Sequence, residues 1–249
     1  MWRPNKVVRS VFLASVVIGA SLTGLRAQTP VALELVLAID TSTSVDDGEF
    51  ALQTEGLASA FRDPSVIKAI EGHAPDGIAV SLVHWSGRGL QKTSVGWSVL
   101  KTAADATALS RRISAAPRLL RGFTDIAGAI RFAQRHIAGN SYTGRRQVID
   151  VSGDGSSNSG LTRRARDEAV AAGITINGLV IHNEEYDLGE LAKINLVDHY
   201  RESVIGGPGA FLMIAKDFFD FRTAIRKKLV REITGPLFSR RDRQAPAIE

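Results

Sequence analysis

Residues 31–44 read VALELVLAIDTSTS: nine almost wholly apolar residues, then Asp40, then a string of hydroxyls. A half-exposed strand would alternate apolar and polar residues, whereas a near-continuous apolar run of this length suits a strand covered on both faces, as in a parallel sheet. The first strand therefore ends at Asp40. Helix chemistry follows it. Ser44 with Asp46, Asp47 and Glu49 supplies a cap and an acidic first turn, and Phe50, Leu57 and Phe61 recur at helical spacing. Asp63-Pro64 breaks this helix and starts another, with Pro at a first helical position.

The same alternation continues along the chain. Residues 77–84 (GIAVSLVH) form a second buried strand. After the turn Ser86-Gly87-Arg88-Gly89, the more polar residues 90–99 fit an antiparallel edge strand. A helix over 102–115 and a loop over 118–122 come next. Ile126, Ala129, Ile130, Ala133 and Ile137 then share one stripe of a helix over 125–137. Residues 147–152 are a strand, 161–172 a helix closed by Gly173, 174–181 a strand, 188–195 a short helix and 210–215 a last strand. Phe218, Phe221, Ile225, Leu229 and Ile233 stripe a final helix, with Lys227, Lys228 and Arg231 placed to suit its C-terminal dipole. The expected fold is α/β: a doubly wound, mostly parallel six-stranded sheet with one antiparallel edge strand and helices on both faces.

The ends of the chain read differently from its middle. Residues 1–27 hold Arg3, Lys6, Arg9 and Arg26, no acidic residue, and an uncharged apolar stretch over 11–25. This is the grammar of a secretory signal, and 15 apolar residues fall short of the roughly 20 that a transmembrane helix needs. The expectation is an exported protein, periplasmic or secreted, with a domain over 28–234, a loose tail over 235–249 and no stable membrane span. The net charge of +5 lies mostly in the leader; the remainder carries 27 basic against 26 acidic residues, which gives little support for nucleic-acid binding. With no Cys among 249 residues, disulfides, thiolate metal sites and a thiol nucleophile are excluded.

In an open α/β sheet, ligands sit beyond the carboxyl ends of the strands. Those ends carry Asp40-Thr41-Ser42-Thr43-Ser44, His84-Trp85-Ser86, and Ser152-Gly153-Asp154-Gly155, with Gly122-Phe123-Thr124-Asp125 opening a helix beside them. Residues two apart as a strand leaves the sheet can point the same way, so Asp40, Ser42 and Ser44 present one carboxylate and two hydroxyls together. Joined by Thr124 and Asp154, they make a set of hard oxygens suited to Mg²⁺ or Mn²⁺. By itself D-x-S-x-S is weak, arising by chance in roughly 5–10% of chains of this length. Its position after the first buried strand, with Thr124 and Asp154 following in order, makes it specific.

On these residues the chain resembles the von Willebrand factor type A superfamily, most nearly an exported bacterial family of unknown function. Asp40-Thr41-Ser42-Thr43-Ser44 matches the signature of its metal-ion-dependent adhesion site, Thr124 its downstream Thr, and Asp154 its later strand-end Asp. The resemblance spans about residues 31–233. It implies one divalent ion on the top edge, Mg²⁺ or Mn²⁺, bound by hydroxyls directly and by the two Asp often through water. It also implies an open position that takes a carboxylate from a protein partner. Many members read S-D-G where this chain reads Ser152-Gly153-Asp154-Gly155, an extra Gly.

Competing chemistries fit less well. Gly153-x-Gly155 lacks the third Gly and the ribose-binding acid of a dinucleotide loop. A phosphoryl-accepting Asp40 would want a second Asp where Ser42 stands. No G-x-S-x-G elbow frames Ser86 or Ser156. The main expectation is a non-enzymatic binding module; the alternative is a metal-assisted hydrolase using the same strand-end site. Asp150, inside a buried strand, should accept hydrogen bonds beneath the metal loops. His84 and His182 read as structural, Trp85 as either core or rim, and Arg163, Arg164 and Arg166 as a solvated helix face.

Overall fold

The computed structural model describes residues 28–181 and 195–235. Its strands are β1 (Thr29–Asp40), β2 (Ile78–Trp85), β3 (Gln91–Leu100), β4 (Tyr142–Gly153), β5 (Ile174–Ile181) and β6 (Leu212–Ala215). Its helices are α1 (Asp47–Ala60), α2 (Pro64–Glu71), α3 (Ala103–Ser114), α4 (Ile126–Ala138), α5 (Ser159–Ala171), α6 (Leu196–His199) and α7 (Phe221–Thr234), with a π-helical turn Tyr200–Val204 directly after α6. The sheet order is β3-β2-β1-β4-β5-β6, parallel throughout except for the β2–β3 pair. The expected fold class is the observed one.

The apolar run of β1 divides between two cores by strand alternation. Leu33, Leu35, Leu37 and Ile39 face a core made with Leu57, Phe61, Ile70, Leu109, Ile113, Phe221, Ile225 and Leu229, from α1, α2, α3 and α7. Val36 and Ala38 face the other core, with Ile126, Ile130, Ala133, Ala165, Ala169, Tyr200 and Val204. The chain leaves β1 for β2 on one side and later returns to β4 on the other, so the order reverses at β1. That switch point brings the carboxyl ends of β1 and β4 side by side, with Ile39 opposite Ser152.

Several local readings are corrected. The cap of α1 is Asp46, not Ser44: its side chain accepts from Glu49 N–H while Glu49 reaches back to Asp46 N–H. Ser44 is thereby free for other work. β4 starts five residues earlier than its apolar segment, because residues 142–146 pair with the start of β1. β6 and α7 begin at Leu212 and Phe221 rather than 210 and 218. The helix expected over 188–195 lies outside the described residues except for Asn195, which caps α6. Trp85 belongs to the core.

Lys228 is the largest departure. The sequence suggests a complement to the α7 dipole, yet its side chain is fully buried. Its ammonium lies 2.7 Å from Asp150 Oδ1 and 2.5 Å from Glu232 Oε1, and Asn177 Nδ2 donates to the same Glu232 oxygen at 2.9 Å. Asp150 accepts from Ser152 Oγ at 3.2 Å as well, so its principal partner is an ion on α7 rather than the strand-end loops. Burial, and then the Asp150 charge, push the Glu232 carboxyl up to about 7, against the pull of Lys228.

Candidate metal centre at the switch point

The segment after β1 is fixed by a division of labour between odd and even positions. Thr41 donates its N–H (2.8 Å) and hydroxyl (3.1 Å) to Trp85 O at the end of β2. Thr43 donates both groups to Gly122 O, at 2.9 and 3.2 Å. These tethers turn Asp40, Ser42 and Ser44 toward β4. Ser42 N–H donates to Asp40 Oδ1 at 2.7 Å, the Ser42 and Ser44 hydroxyls lie 3.0 Å apart, and Ser44 Oγ donates to Asp154 Oδ1 at 2.9 Å. Four of the five sequence-predicted residues thus form one hydrogen-bonded chain across the β1–β4 junction. Thr124 reaches the same edge through Gly155: a methyl there would sit 2.9 Å from Thr124 Oγ1. The Thr124 loop is held by Asp125, whose N–H donates to Ser86 O and whose side chain caps α4 at Gly128 N–H.

The extra glycine has a structural reason. A Cβ on Gly153 would fall 2.8 Å from Asp40 Oδ2 and 2.9 Å from the Tyr200 hydroxyl, closer than real Cβ contacts come. Asp154, one residue on, still reaches Ser44.

The electrostatics of the site favour a positive charge. Asp40 is wholly buried, and Oδ2 has no hydrogen-bond partner. Burial, then the charge of Asp154, push its carboxyl up to about 8, against the Ser42 bonds and Arg118. Asp154 is also raised by burial, despite the Ser44 bond. Two desolvated carboxylates sharing one polar pocket with hydroxyls favour either a proton or a metal ion between them. The donor set of two carboxylates and three hydroxyls is hard oxygen, which fits Mg²⁺ or Mn²⁺. Among the described residues no cluster of three or more His, Cys, Asp or Glu forms an alternative metal cage.

Two further residues lie against this segment, and no sequence pattern marks either of them. Arg118, in the loop after α3, buries its guanidinium behind the Asp40–Val45 segment. One terminal nitrogen donates to the carbonyls of Thr41, Ser42 and Val45 at 3.1, 2.8 and 2.5 Å; the other pairs with Asp47. Arg118 also lies over the Phe50 ring. Tyr200 is fully buried with its hydroxyl unpartnered. Burial and the nearby Asp40, Asp154 and Asp150 charges hold that phenol well above its usual range, hence protonated. His84 packs edge-on against Phe50, and burial pulls it down to about 4, so it is a neutral core residue. Arg164 and Arg166 are largely engaged on the surface of α5, with Glu168 and with Asp167 and the Glu202 carbonyl. His182 lies outside the described residues.

This fold is similar to that of solved von Willebrand factor type A domains. The chain belongs to the family described as "Protein of unknown function (DUF1194)", whose match covers residues 30–237. No protein of curated function matches the sequence. The fold is similar to that of proximal thread matrix protein 1 from the mussel byssus in a form with a zinc-occupied MIDAS motif (15% identity, TM-score 0.55, 82% of this chain and 48% of that one). It is also similar to the pilus adhesin SpaC from Lactobacillus rhamnosus GG (14%, 0.57, 82% and 30%). A third similar structure is the von Willebrand factor type A protein from Catenulispora acidiphila (14%, 0.52, 82% and 43%). The chain spans half or less of each of these solved chains. Among the described residues no helix is long and apolar enough to cross a membrane.

Proposed function

We propose that this protein is an exported, non-enzymatic binding module that holds Mg²⁺ or Mn²⁺ at Asp40, Ser42, Ser44, Thr124 and Asp154 and captures a carboxylate of a protein partner. In this reading residues 1–27 direct export, 28–234 form the binding domain and 235–249 are a tail. The observation that carries it is the hydrogen-bonded chain Asp40–Ser42–Ser44–Asp154, which ends on one buried and one half-buried carboxylate, both raised by desolvation. A bound ion would supply positive charge and an open position for an incoming acid; Thr41, Thr43 and Arg118 keep the ligands in place. The surroundings suit a protein partner: Leu90 and Phe123 are exposed on the loop that carries Thr124 or against it, Phe123 to 88%. The zinc-occupied motif of the mussel protein supports divalent binding on this fold.

The test is affinity capture from an envelope extract, with the domain as bait in Mn²⁺ or in chelator and Asp154→Asn as control. A prey protein held only with metal and intact Asp154, and released when its own acidic contact residue is neutralised, supports the reading. The same prey under all conditions contradicts it. Hydrolytic turnover that requires Asp154 and metal would favour a metal-assisted hydrolase.

A further inference from the structure

Two buried polar oxygens at the switch point have no hydrogen-bond partner, and both lie close to one glycine. Asp40 Oδ2 and the Tyr200 hydroxyl lie 2.8 and 2.9 Å from the single point where a Gly153 Cβ would stand. Both side chains are fully buried. A buried hydroxyl without a partner is disfavoured unless something occupies it in the working protein. Phe in place of Tyr would fill the same volume without that cost, so core packing alone does not account for the hydroxyl.

Tyr200 is also seated by design of the neighbouring strands. Its ring edge approaches Gly178 of β5 so closely that a Cβ there would fall 3.0 Å from Tyr200 Cδ1, while its hydroxyl end approaches Gly153 of β4. Gly153 and Val180 are register partners, and Gly178 pairs with Val151, so the two glycines lie on adjacent strands, two registers apart. The ring spans them and delivers its hydroxyl to the end of β1. The residue is the first of the π-helical turn Tyr200–Val204, where Ile205 N–H donates to Tyr200 O at 3.0 Å. Such turns are rare and recur at functional sites.

We infer that Tyr200 is a positioning residue of the metal centre: its hydroxyl donates to Asp40 Oδ2 through one bridging water and fixes the plane of that carboxylate for the cation. Both oxygens lie within 3 Å of one point, so the gap between them is polar at both ends and short enough for one water to bridge. Gly153, the extra residue relative to the superfamily's S-D-G pattern, is the complementary half of this device, because any side chain there would push between them. Tyr200 touches neither the ion nor the partner; it acts through Asp40. Outer-shell partners of this kind set ligand orientation, and their removal typically weakens metal binding by about 10–100-fold.

This inference rests on the proposed metal centre, and the experiment separates the two. Mn²⁺ is titrated into the wild-type chain and into Tyr200→Phe, with affinity read by calorimetry, the bound-ion spectrum by electron paramagnetic resonance, and the melting temperature measured without metal. The expected result is one Mn²⁺ per wild-type chain. Tyr200→Phe should bind at least about tenfold more weakly, with an altered Mn²⁺ spectrum and a metal-free melting temperature unchanged or higher. Affinity and spectrum equal to wild type would overturn the role of Tyr200 and leave the metal centre standing. Weaker binding with an unaltered spectrum and a lowered metal-free melting temperature would also overturn it, marking Tyr200 as packing only. No Mn²⁺ binding by the wild type would overturn the centre, and this inference with it.

Discussion

Replacing Lys228 by Met should destabilise this protein by about 3–5 kcal/mol at pH 7.5, the usual consequence of removing one partner from a buried ion pair. Lys228, Asp150 and Glu232 are all fully buried, and the ammonium touches both carboxylates, at 2.7 and 2.5 Å. Met matches the volume of the aliphatic stem, so the loss comes from charge and not from a cavity. Asp150 and Glu232 would then face each other without a cation, with only the Ser152 and Asn177 donors left. The molecule can relieve this by holding a proton on one carboxyl, at about 1.4 kcal/mol per pH unit above that group's unfolded value. Glu232, already up at about 7, takes that proton first. The penalty should therefore be smaller at pH 5 than at pH 7.5, by up to about 1 kcal/mol. Urea unfolding at the two pH values gives the free energies, and thermal melting should show a fall of about 6–20 °C at pH 7.5. Adding Asp150→Asn and Glu232→Gln to the Lys228→Met chain should recover at least half of the loss, since removing all the charges of a buried cluster is often nearly neutral. A Lys228→Met loss under about 1 kcal/mol at pH 7.5, or one independent of pH, would refute the view of Lys228 as the buried counter-ion of this cluster.

Three further outcomes follow from the same geometry. Glu232→Gln should flatten the stability profile between about pH 4.5 and 7: a carboxyl raised in the fold holds its proton where the unfolded chain has lost it, so its contribution declines as pH rises through that window, and parallel wild-type and variant curves would contradict this. Gly153→Ala should cost about 1–3 kcal/mol and weaken metal binding, because the new methyl meets Asp40 and Tyr200; a neutral effect on both would mean that the junction has slack. Arg118→Ala should lower the melting temperature and metal affinity together, with Lys recovering only part of each, since an ammonium lacks the planar fork that reaches three carbonyls and Asp47; full recovery by Lys would show that charge alone suffices.

The internal strands are readable because they are apolar on both faces, and the antiparallel edge strand β3 because it is not. Boundaries failed where pairing, not burial, defines the element: residues 142–146 (YTGRR) pair with β1 while staying largely at the surface, so no apolar pattern marks them. The α1 cap was misassigned although Asp46-x-x-Glu49 is itself a capping-box pattern, because the hydroxyl of Ser44 was the more conspicuous candidate. Lys228 left a signal that was passed over: it and Glu232 stand three and seven residues after Ile225, on the buried stripe of α7. The five proposed ligands were legible as a spaced motif, and the structure brings them to one edge. Arg118 and Tyr200 are not legible, since a lone Arg in a loop and a Tyr between the helix expected over 188–195 and the strand expected over 210–215 acquire meaning only through the backbones they approach.

The most direct test of the central claim is a Mn²⁺ titration of the wild-type chain beside Asp154→Asn and Ser44→Ala. The account requires one ion per wild-type chain, with both variants folded and binding at least about tenfold more weakly, as loss of one ligand or of its orienting hydrogen bond entails. Wild-type affinity in both folded variants, or no stoichiometric ion in the wild type, would contradict it.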